Sequence, residues 1–381
     1  RLLNRINAPV QKALTTNDLI LKIALHPRIV PLWNRNINLK GNTRQSLGDV
    51  WGYLRTRHER ENGDRPLFLF LNLMETHLPY GPPTRFIRRF VPYYRNSREA
   101  REFMHAYNLE HYRWMIPLTE PLDGVQDRVI NDMYTAEVAY EDHVLRRFYH
   151  YLNRPEVRDN TLVIITSDHG EGVNNHNFVG HSLVAYDDLV HVPLVVRYPR
   201  LYPAGKRVSQ HVSTRRIFHT VLEAAGIYPT HNNATDAEGA PVDVRTWSLA
   251  RALDGTDPEA GQTFTEAYTP DTLLALMENN DPDAIDTFRC REMRRAVYKD
   301  RYKLITVGEQ PDELFDVIGD PGERHNIIEE HPQVVDELLH LLSDYVAGAK
   351  ARRPESWQTE RLNLESNKDL ANRLRGLGYI E

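Results

Sequence analysis

An α/β fold with a mostly parallel central sheet and a small antiparallel subdomain is what the 381-residue sequence predicts, and three observations predict it. The first is the run Thr161-Leu-Val-Ile-Ile-Thr166, apolar or β-branched throughout, with no polar alternation. A strand of that kind is covered on both faces, the habit of a parallel sheet between helices. The second is that strand-like runs alternate with segments of helical periodicity up to about Gly226, as a parallel sheet with crossover helices requires. The third is a change beyond roughly Gly239 to short, alternating, turn-separated runs, which suggests antiparallel pairing.

The elements follow in chain order. Leu47, Val50, Trp51 and Leu54 are spaced for one helix face between Ser46 and His58, and that helix feeds a second buried strand, Leu67-Phe-Leu-Phe-Leu-Asn-Leu73. Met133, Ala136, Tyr140, Val144, Phe148 and Leu152 line a long helix. Arg158-Asp-Asn160 then turns the chain into the strand that ends at Ser167. Another core strand is expected at Val192 to Val196. Ser213 or Thr214 caps the next helix, with Ile217, Val221, Leu222 and Ala225 inward and Gly226 as its stop.

In the second subdomain, Ala296-Val-Tyr298, Tyr302-Lys-Leu-Ile-Thr-Val307 and Glu313-Leu-Phe-Asp316 are the strands. Pro332 opens a helix whose Val334, Val335, Leu338, Leu341, Leu342 and Tyr345 pack on them. Ala347 to Leu370 is charged and lacks apolar periodicity, as a surface-wrapping or mobile tail would. The expected organisation is residues 1–240 as the α/β domain, 241–346 as the antiparallel subdomain and 347–381 as the tail.

Composition points to a large soluble enzyme. Acidic residues outnumber basic ones by 53 to 47, and both signs are spread along the chain, whereas a general nucleic-acid binder needs a basic stripe. No apolar run approaches the roughly 18 residues of a membrane span. The single cysteine, Cys290, excludes an internal disulfide framework and a cysteine-rich zinc site and fixes no compartment. The chain opens at Arg1 with no methionine or signal-like segment, so processing, trimming or truncation upstream is expected.

The strand Thr161–Thr166 delivers Asp168 and His169 side by side where it ends. Ligands bind beyond the carboxyl ends of strands in such sheets, and the pair offers a carboxylate oxygen and an imidazole nitrogen to one divalent cation. Gly170 lets the backbone turn sharply beside them.

Four segments, taken together, resemble the sulfatase family of the alkaline-phosphatase superfamily. They are Leu67 to Tyr80 with Met-Glu-Thr-His-Leu-Pro-Tyr, Thr166-Ser-Asp-His-Gly-Glu171 with Gly180-His181, His191-Val-Pro-Leu-Val-Val196, and Glu313 to Glu323. The resemblance implies an α/β/α sandwich with a small C-terminal antiparallel subdomain and hydrolysis of sulfate monoesters at a metal site. It places Asp168 and His169 on the metal and His77 and His181 on the ester, His77 protonating the leaving oxygen and His181 stabilising charge. Calcium is the first expectation, with magnesium, manganese and zinc open, because many sulfatases have asparagine where His169 stands. Histidine there is also common in relatives that cleave phosphonate or phosphate esters. His176 competes with His181 for its role, and Glu75 either orients neighbours or faces solvent.

The family's Cys/Ser-x-Pro-x-Arg segment, source of its formylglycine nucleophile, and its upstream Asp-Asp pair are not found where expected. Cys290-Arg-Glu-Met-Arg294 lacks the proline, and Asp187-Asp188 reads as a helix-surface pair. The expectation is a chain that begins after the family's N-terminal third, inactive alone and a sulfatase when intact. The alternatives are a phosphodiesterase or phosphonate monoester hydrolase on the same scaffold, and an inactive protein that binds anions. The expected partner is a small or carbohydrate sulfate ester, with no nucleic acid and no membrane span. Arg1 to Lys40 and Thr84 to Pro121 carry no signature of the organic part. Trp33, Trp114 and Tyr93-Tyr94 form either a sugar-binding wall or ordinary packing.

Overall fold

The computed structural model describes residues 43–59, 65–109, 114, 117–118, 120–228, 243–270, 273–274, 277–278 and 281–351. The expected mixture of helices, a central sheet element and a small antiparallel sheet is present. Helix α1 (Thr43–Thr56) is followed by α2 (Thr84–Phe90), α3 (Arg98–Leu109) and the long α4 (Gly124–Leu152). Asp123 starts α4 with a reciprocal capping box: its carboxylate accepts from Val125 and Gln126 while the Gln126 side chain accepts from the Asp123 amide. The short α5 (Pro155–Arg158) and the turn after it lead into β1 (Val163–Thr166).

The main helical core lies where α2, α3 and α4 meet. Val91, Ala100, Phe103, Met104, Tyr107, Val129, Ile130, Met133 and Ala136 are buried there, joined by Leu78, Tyr80 and Val179. These last three sit immediately beside His77 and Gly180-His181. Packing that removes apolar area from water, at about 25 cal/mol per Å2, therefore fixes the approach of two site histidines. Trp114 packs edge-on against Phe103, and the Tyr93 hydroxyl donates to Asp132, so both belong to packing rather than to a sugar-binding wall. Trp33 lies outside the described residues.

Beyond β1 come the hairpin β2 (Gly172–Val173) and β3 (Val179–Gly180), the one-turn helix α6 (Asp187–Val190) and β4 (Leu194–Arg197). β1 and β4 pair antiparallel, from Val163 opposite Arg197 to Thr166 opposite Leu194, where a parallel partner was expected. The segment between them carries a hairpin and one helical turn but no crossover helix, so the chain returns in the opposite sense. β1 is also not covered on both faces: Ile165 is 43 % exposed.

The run Leu67–Leu73 is a second departure. It forms no strand, and Phe68 and Phe70 are 74 % and 72 % exposed. Apolar and aromatic composition favours a strand only where a neighbour supplies ladder hydrogen bonds and cover, and no described residue does so. Helix α7 (Arg216–Ala225) ends as expected at Gly226, with φ +67° in the left-handed region. Its start differs, because neither Ser213 nor Thr214 provides a side-chain cap. The side it buries also differs. Arg216 and Thr220 are the buried residues, Ile217, Val221 and Leu222 are half-buried, and Ala225 is exposed. Arg216 decides this orientation: its fully buried guanidinium pairs with Asp257 at 2.7 Å and donates to the carbonyls of Trp247 and Ser248.

After α8 (Arg251–Asp254), the chain enters a four-stranded antiparallel meander of β5 (Thr263–Ala267), β6 (Arg294–Lys299), β7 (Tyr302–Val307) and β8 (Gln310–Asp316). Helix α9 (Pro282–Thr287) interrupts β5 and β6. The sequence reading missed β5, a Thr-Phe-Thr-Glu-Ala run that follows a turn at Ala260-Gly261. Helix α10 (Pro332–Ala351) covers the sheet with Val335, Leu338 and Leu342, and Tyr345 stacks on Phe264 at 4.0 Å. Residues 347–351 continue that helix instead of beginning a tail, and the remainder of the expected tail lies outside the described residues.

Candidate active site

Three histidines converge past the end of β1. The rings of His169 and His181 are stacked with centroids 4.2 Å apart and planes at 20°, and His77 lies edge-on to His181 at 4.6 Å. One ring nitrogen from each lies within 4.8 Å of the others. Residues separated by up to about a hundred positions thus meet in a volume of the size of one anion or one cation.

Each histidine is positioned by its neighbours in sequence. His77 follows Glu75, which is buried and accepts from the Thr43 amide at the start of α1 (2.9 Å), so Glu75 joins the loop to a helix end rather than facing solvent. On its other side, the Leu78–Pro79 peptide is cis, and Tyr80 is clamped. Asn108 of α3 accepts from the Tyr80 amide at 2.9 Å and donates to its carbonyl at 2.6 Å, while the buried Glu137 of α4 accepts from Gly81 at 2.7 Å. Sequence reasoning did not find Asn108 or Glu137, since a polar residue inside a helix carries no sign of which loop it will hold.

His169 is set by Gly170. The Gly170 amide donates to the Leu189 carbonyl at 2.7 Å, and a Cβ there would stand 1.9 Å from the Asp188 carbonyl oxygen. Only glycine lets the turn after β1 lie against α6. His181 follows β3, and Glu171 precedes β2, so the hairpin sets them opposite each other. The Glu171 carboxylate lies 3.2 Å from His181 Nδ1, and its other oxygen, Oε1, is buried with no hydrogen-bond partner among the described residues. Glu171 stood in the quoted motif without a role. The signal was its place in the turn that His181 closes.

Asp168 borders the three rings. Its side chain is 53 % exposed, Oδ1 accepts from the His169 amide at 3.1 Å, and His169 Nε2 lies 3.9 Å from that oxygen. The Asp168–His169 pair is thus close enough to share a cation, which would be held by one oxygen and one nitrogen. One carboxylate oxygen and one imidazole nitrogen fit a divalent cation.

His176 is not in the cluster. It stacks on Tyr186 at 3.9 Å and lies 3.4 Å from Asp188. Burial opposes its protonation, but Asp188 and the Glu323 carbonyl outweigh that and raise its pKa. Asp187-Asp188 is not a helix-surface pair either: Asp187 is part of a buried ionic cluster with Lys303 (2.9 Å) and the Tyr298 hydroxyl, while Asp188 accepts from Asn175 and faces His176. Lys303 also contacts Glu323 at 2.5 Å, both side chains being fully buried. That cluster joins the small sheet to α6, and α6 to Gly170.

The electrostatics favour a neutral His77. Burial lowers its pKa, and His181 adds to this, while the Leu78 carbonyl and Glu171 oppose it. The phenols beneath are pushed up by burial first and then by the Glu171 charge, at Tyr80, Tyr107 and Tyr134. Cys290 is a poor candidate nucleophile: it is buried, its thiol donates to the Ala284 carbonyl, and burial raises its pKa.

Comparison with known proteins places these residues in a family context. A family model described as Sulfatase matches residues 27–227, more than half of the chain. The chain is 25 % identical over 290 residues to a protein from Escherichia coli named uncharacterized sulfatase YidJ, covering 74 % of this chain and 51 % of the relative. It is 29 % identical over 222 residues to a Delta 4,5-hexuronate-2-O-sulfatase of Bacteroides thetaiotaomicron, covering 57 % of this chain and 40 % of the relative. It thus spans about half, or less, of the length of these curated relatives. Among solved structures, the phosphonate monoester hydrolase of Agrobacterium radiobacter is similar in fold, with a TM-score of 0.54 at 21 % identity, covering 79 % of this chain and 59 % of that one.

Proposed function

Since the chain belongs to the sulfatase family, we propose that the protein it represents hydrolyses sulfate monoesters, with the ester seated on His77 and His181 and a cation held by Asp168 and His169. The convergence of the three imidazoles beside Asp168, with Glu171 behind His181, is the observation that carries this reading. Sulfate esters are anionic, so their binding needs several positive or hydrogen-bonding groups at one point. Bound at Asp168 and His169, a cation would supply charge neutralisation of the ester oxygens.

His181 donates toward the developing oxyanion, and Glu171 holds its ring in place. His77 suits the leaving oxygen. An imidazole with a lowered pKa gives up a proton readily once an anionic ester has drawn it onto the ring. The organic part of the substrate is proposed to be a carbohydrate, because the Bacteroides relative is named for a sulfated hexuronate. A phosphonate or phosphate monoester is the second reading, favoured by His169 in place of asparagine.

Turnover of an aryl sulfate and an aryl phosphonate by the natural protein tests both. His77→Ala is expected to lower aryl sulfate turnover by about 10^2–10^4-fold, the range of general acid–base catalysis, and Asp168→Ala to abolish its dependence on added divalent cation. Undiminished turnover in both variants would overturn the assignment, and a preference for the phosphonate would select the second reading.

A further inference from the structure

From Thr76 to Arg98 the chain carries five arginines and no acidic residue, although the whole protein has a formal charge of −6. Helix α2 concentrates them. Arg85, Arg88 and Arg89 are spaced i, i+3 and i+4, so they share one helix face, and all three are exposed. Phe86, Ile87 and Phe90 take the opposite face and pack against the core formed with α3 and α4. Arg95 in the turn after α2 and Arg44 on α1 are exposed as well.

These guanidiniums are uncompensated. Exposed arginines elsewhere are commonly paired, as Arg98 is with Glu102 and Arg291 with Glu278, both at 2.7 Å. Arg44, Arg85, Arg88, Arg89 and Arg95 have no ion-pair partner among the described residues. Arg85 instead lies over the Phe86 ring at 4.8 Å and Arg89 over the Phe90 ring at 5.4 Å, contacts that order the head group and leave its N–H donors free. The patch begins beside the histidine cluster. Arg85 is eight residues from His77, a span of at most about 29 Å, and Phe86 packs on Tyr140 of α4 at 5.4 Å. Burial and then Glu75 push the Tyr140 phenol up, while Arg44 and Arg85 pull it down. Both arginines therefore act on the part of α4 that Glu75 also reaches, and Glu75 belongs to the loop that carries His77.

We propose that Arg85, Arg88 and Arg89, flanked by Arg44 and Arg95, form a binding face for a sulfated polysaccharide, holding the sulfates of neighbouring sugar units while one unit occupies the histidine site. The choice of polyanion rests on the sulfatase reading. A planar guanidinium meets an oxoanion with two N–H donors at once, and a row of them about one helical turn apart suits a polymer with repeated sulfates better than a single small ester. Single-stranded nucleic acid needs aromatic platforms for its bases, whereas here Phe86 and Phe90 pack against the core and the Tyr93 hydroxyl is held by Asp132. The apolar side of α2 is occupied in the same way, which leaves nothing to insert into a lipid surface.

Binding of the natural protein to heparin, a highly sulfated polysaccharide, tests this apart from turnover. The triple variant Arg85→Gln, Arg88→Gln, Arg89→Gln is expected to bind heparin at least about tenfold more weakly, as loss of three exposed charge contacts near the top of their usual range implies. Its turnover of a small aryl sulfate, which carries no second sulfate, is expected to stay unchanged. A second triple variant, Arg289→Gln, Arg291→Gln, Arg301→Gln, removes the same charge around the small sheet, where each arginine has an acidic partner, and should change heparin affinity by less than about twofold. No heparin binding, equal affinity in the first triple variant, an equal loss in the second, or a matching fall in aryl sulfate turnover would each overturn the proposal. Equally tight binding of a DNA oligonucleotide of matched charge would also overturn it, in favour of a nucleic-acid face. If the unaltered protein bound heparin as expected but did not hydrolyse aryl sulfate, the ester reading would fail and the polyanion-binding face would stand.

Discussion

Replacing Lys303 by methionine removes the cation at the centre of the buried cluster and leaves its volume nearly unchanged. The ammonium lies 2.5 Å from Glu323 and 2.9 Å from Asp187, and the exposures of the three side chains are 0 %, 0 % and 15 %. Without it, two carboxylates remain in a poorly solvated place, joined by the bond from the Asp187 amide to Glu323 Oε2 (2.7 Å). Breaking a buried pair by removing one partner costs about 3–5 kcal/mol, because the survivor is left uncompensated. Every 1.4 kcal/mol is tenfold in an equilibrium. Native-state amide exchange of β6, β7 and β8 should therefore speed up by at least about a hundredfold in Lys303→Met.

The sign with pH is fixed for Asp187, whereas burial holds the Glu323 carboxyl above its ordinary range despite Lys303. Burial works against the Asp187 charge, but Lys303 and the Tyr298 hydroxyl outweigh it and hold its pKa below the ordinary value. Its contribution in the unaltered protein is present above the unfolded pKa and is lost as the pH falls through the folded one. In Lys303→Met the carboxylates take up protons instead, so the defect should shrink as the pH is lowered. The triple variant Lys303→Met, Asp187→Asn, Glu323→Gln should recover most of the loss, since a neutral replacement of a buried ionic group is often harmless. A change in exchange below about fivefold, or a triple variant no better than the single one, would refute this account.

Three further outcomes follow from single positions. Gly170→Ala should lower stability by about 1–3 kcal/mol in thermal unfolding, because its Cβ would lie 1.9 Å from a backbone oxygen. Gly226→Ala should cost only about 1 kcal/mol, the penalty of a left-handed C-cap without glycine, and should leave the site untouched. His176 has a folded pKa above its unfolded value, so its stabilising contribution is present below about pH 6.5 and lost as the pH rises through the folded pKa. Unfolding of His176→Gln measured across that interval should show a flatter pH dependence than the unaltered protein.

Much of this was legible along the chain, and the misses share a physical cause. Helix α4 and helix α10 could be read because an amphipathic stripe states both that a helix forms and which side it buries. Gly226 could be read because a left-handed stop needs glycine. Leu67–Leu73 could not, since hydrophobicity gives a wish for burial and not the neighbour that grants it. Asp187 looked like a surface residue for the matching reason: a carboxylate far from Lys303 in sequence gives no sign that the two will be buried together. Helix α7 was read with its stripe facing in, and the guanidinium of Arg216 turned out to hold the deeper position because Asp257 compensates its charge.

The sequence by itself determined the chemistry available: an aspartate and a histidine at a strand end, two more histidines in recognisable segments, and a family resemblance that rests on their order. Local signals of that kind survive in one dimension because they depend on neighbours within a few positions. Only the tertiary structure decided how those residues stand to one another. It brought His77 against His181, set Asp168 at the edge of the ring cluster, turned Nδ1 of all three imidazoles toward oxygen, and buried Glu171 behind one of them. Those outcomes depend on packing between α3, α4 and the β2–β3 hairpin and on the close approach of α6 to Gly170, contacts that the order of residues along the chain does not contain.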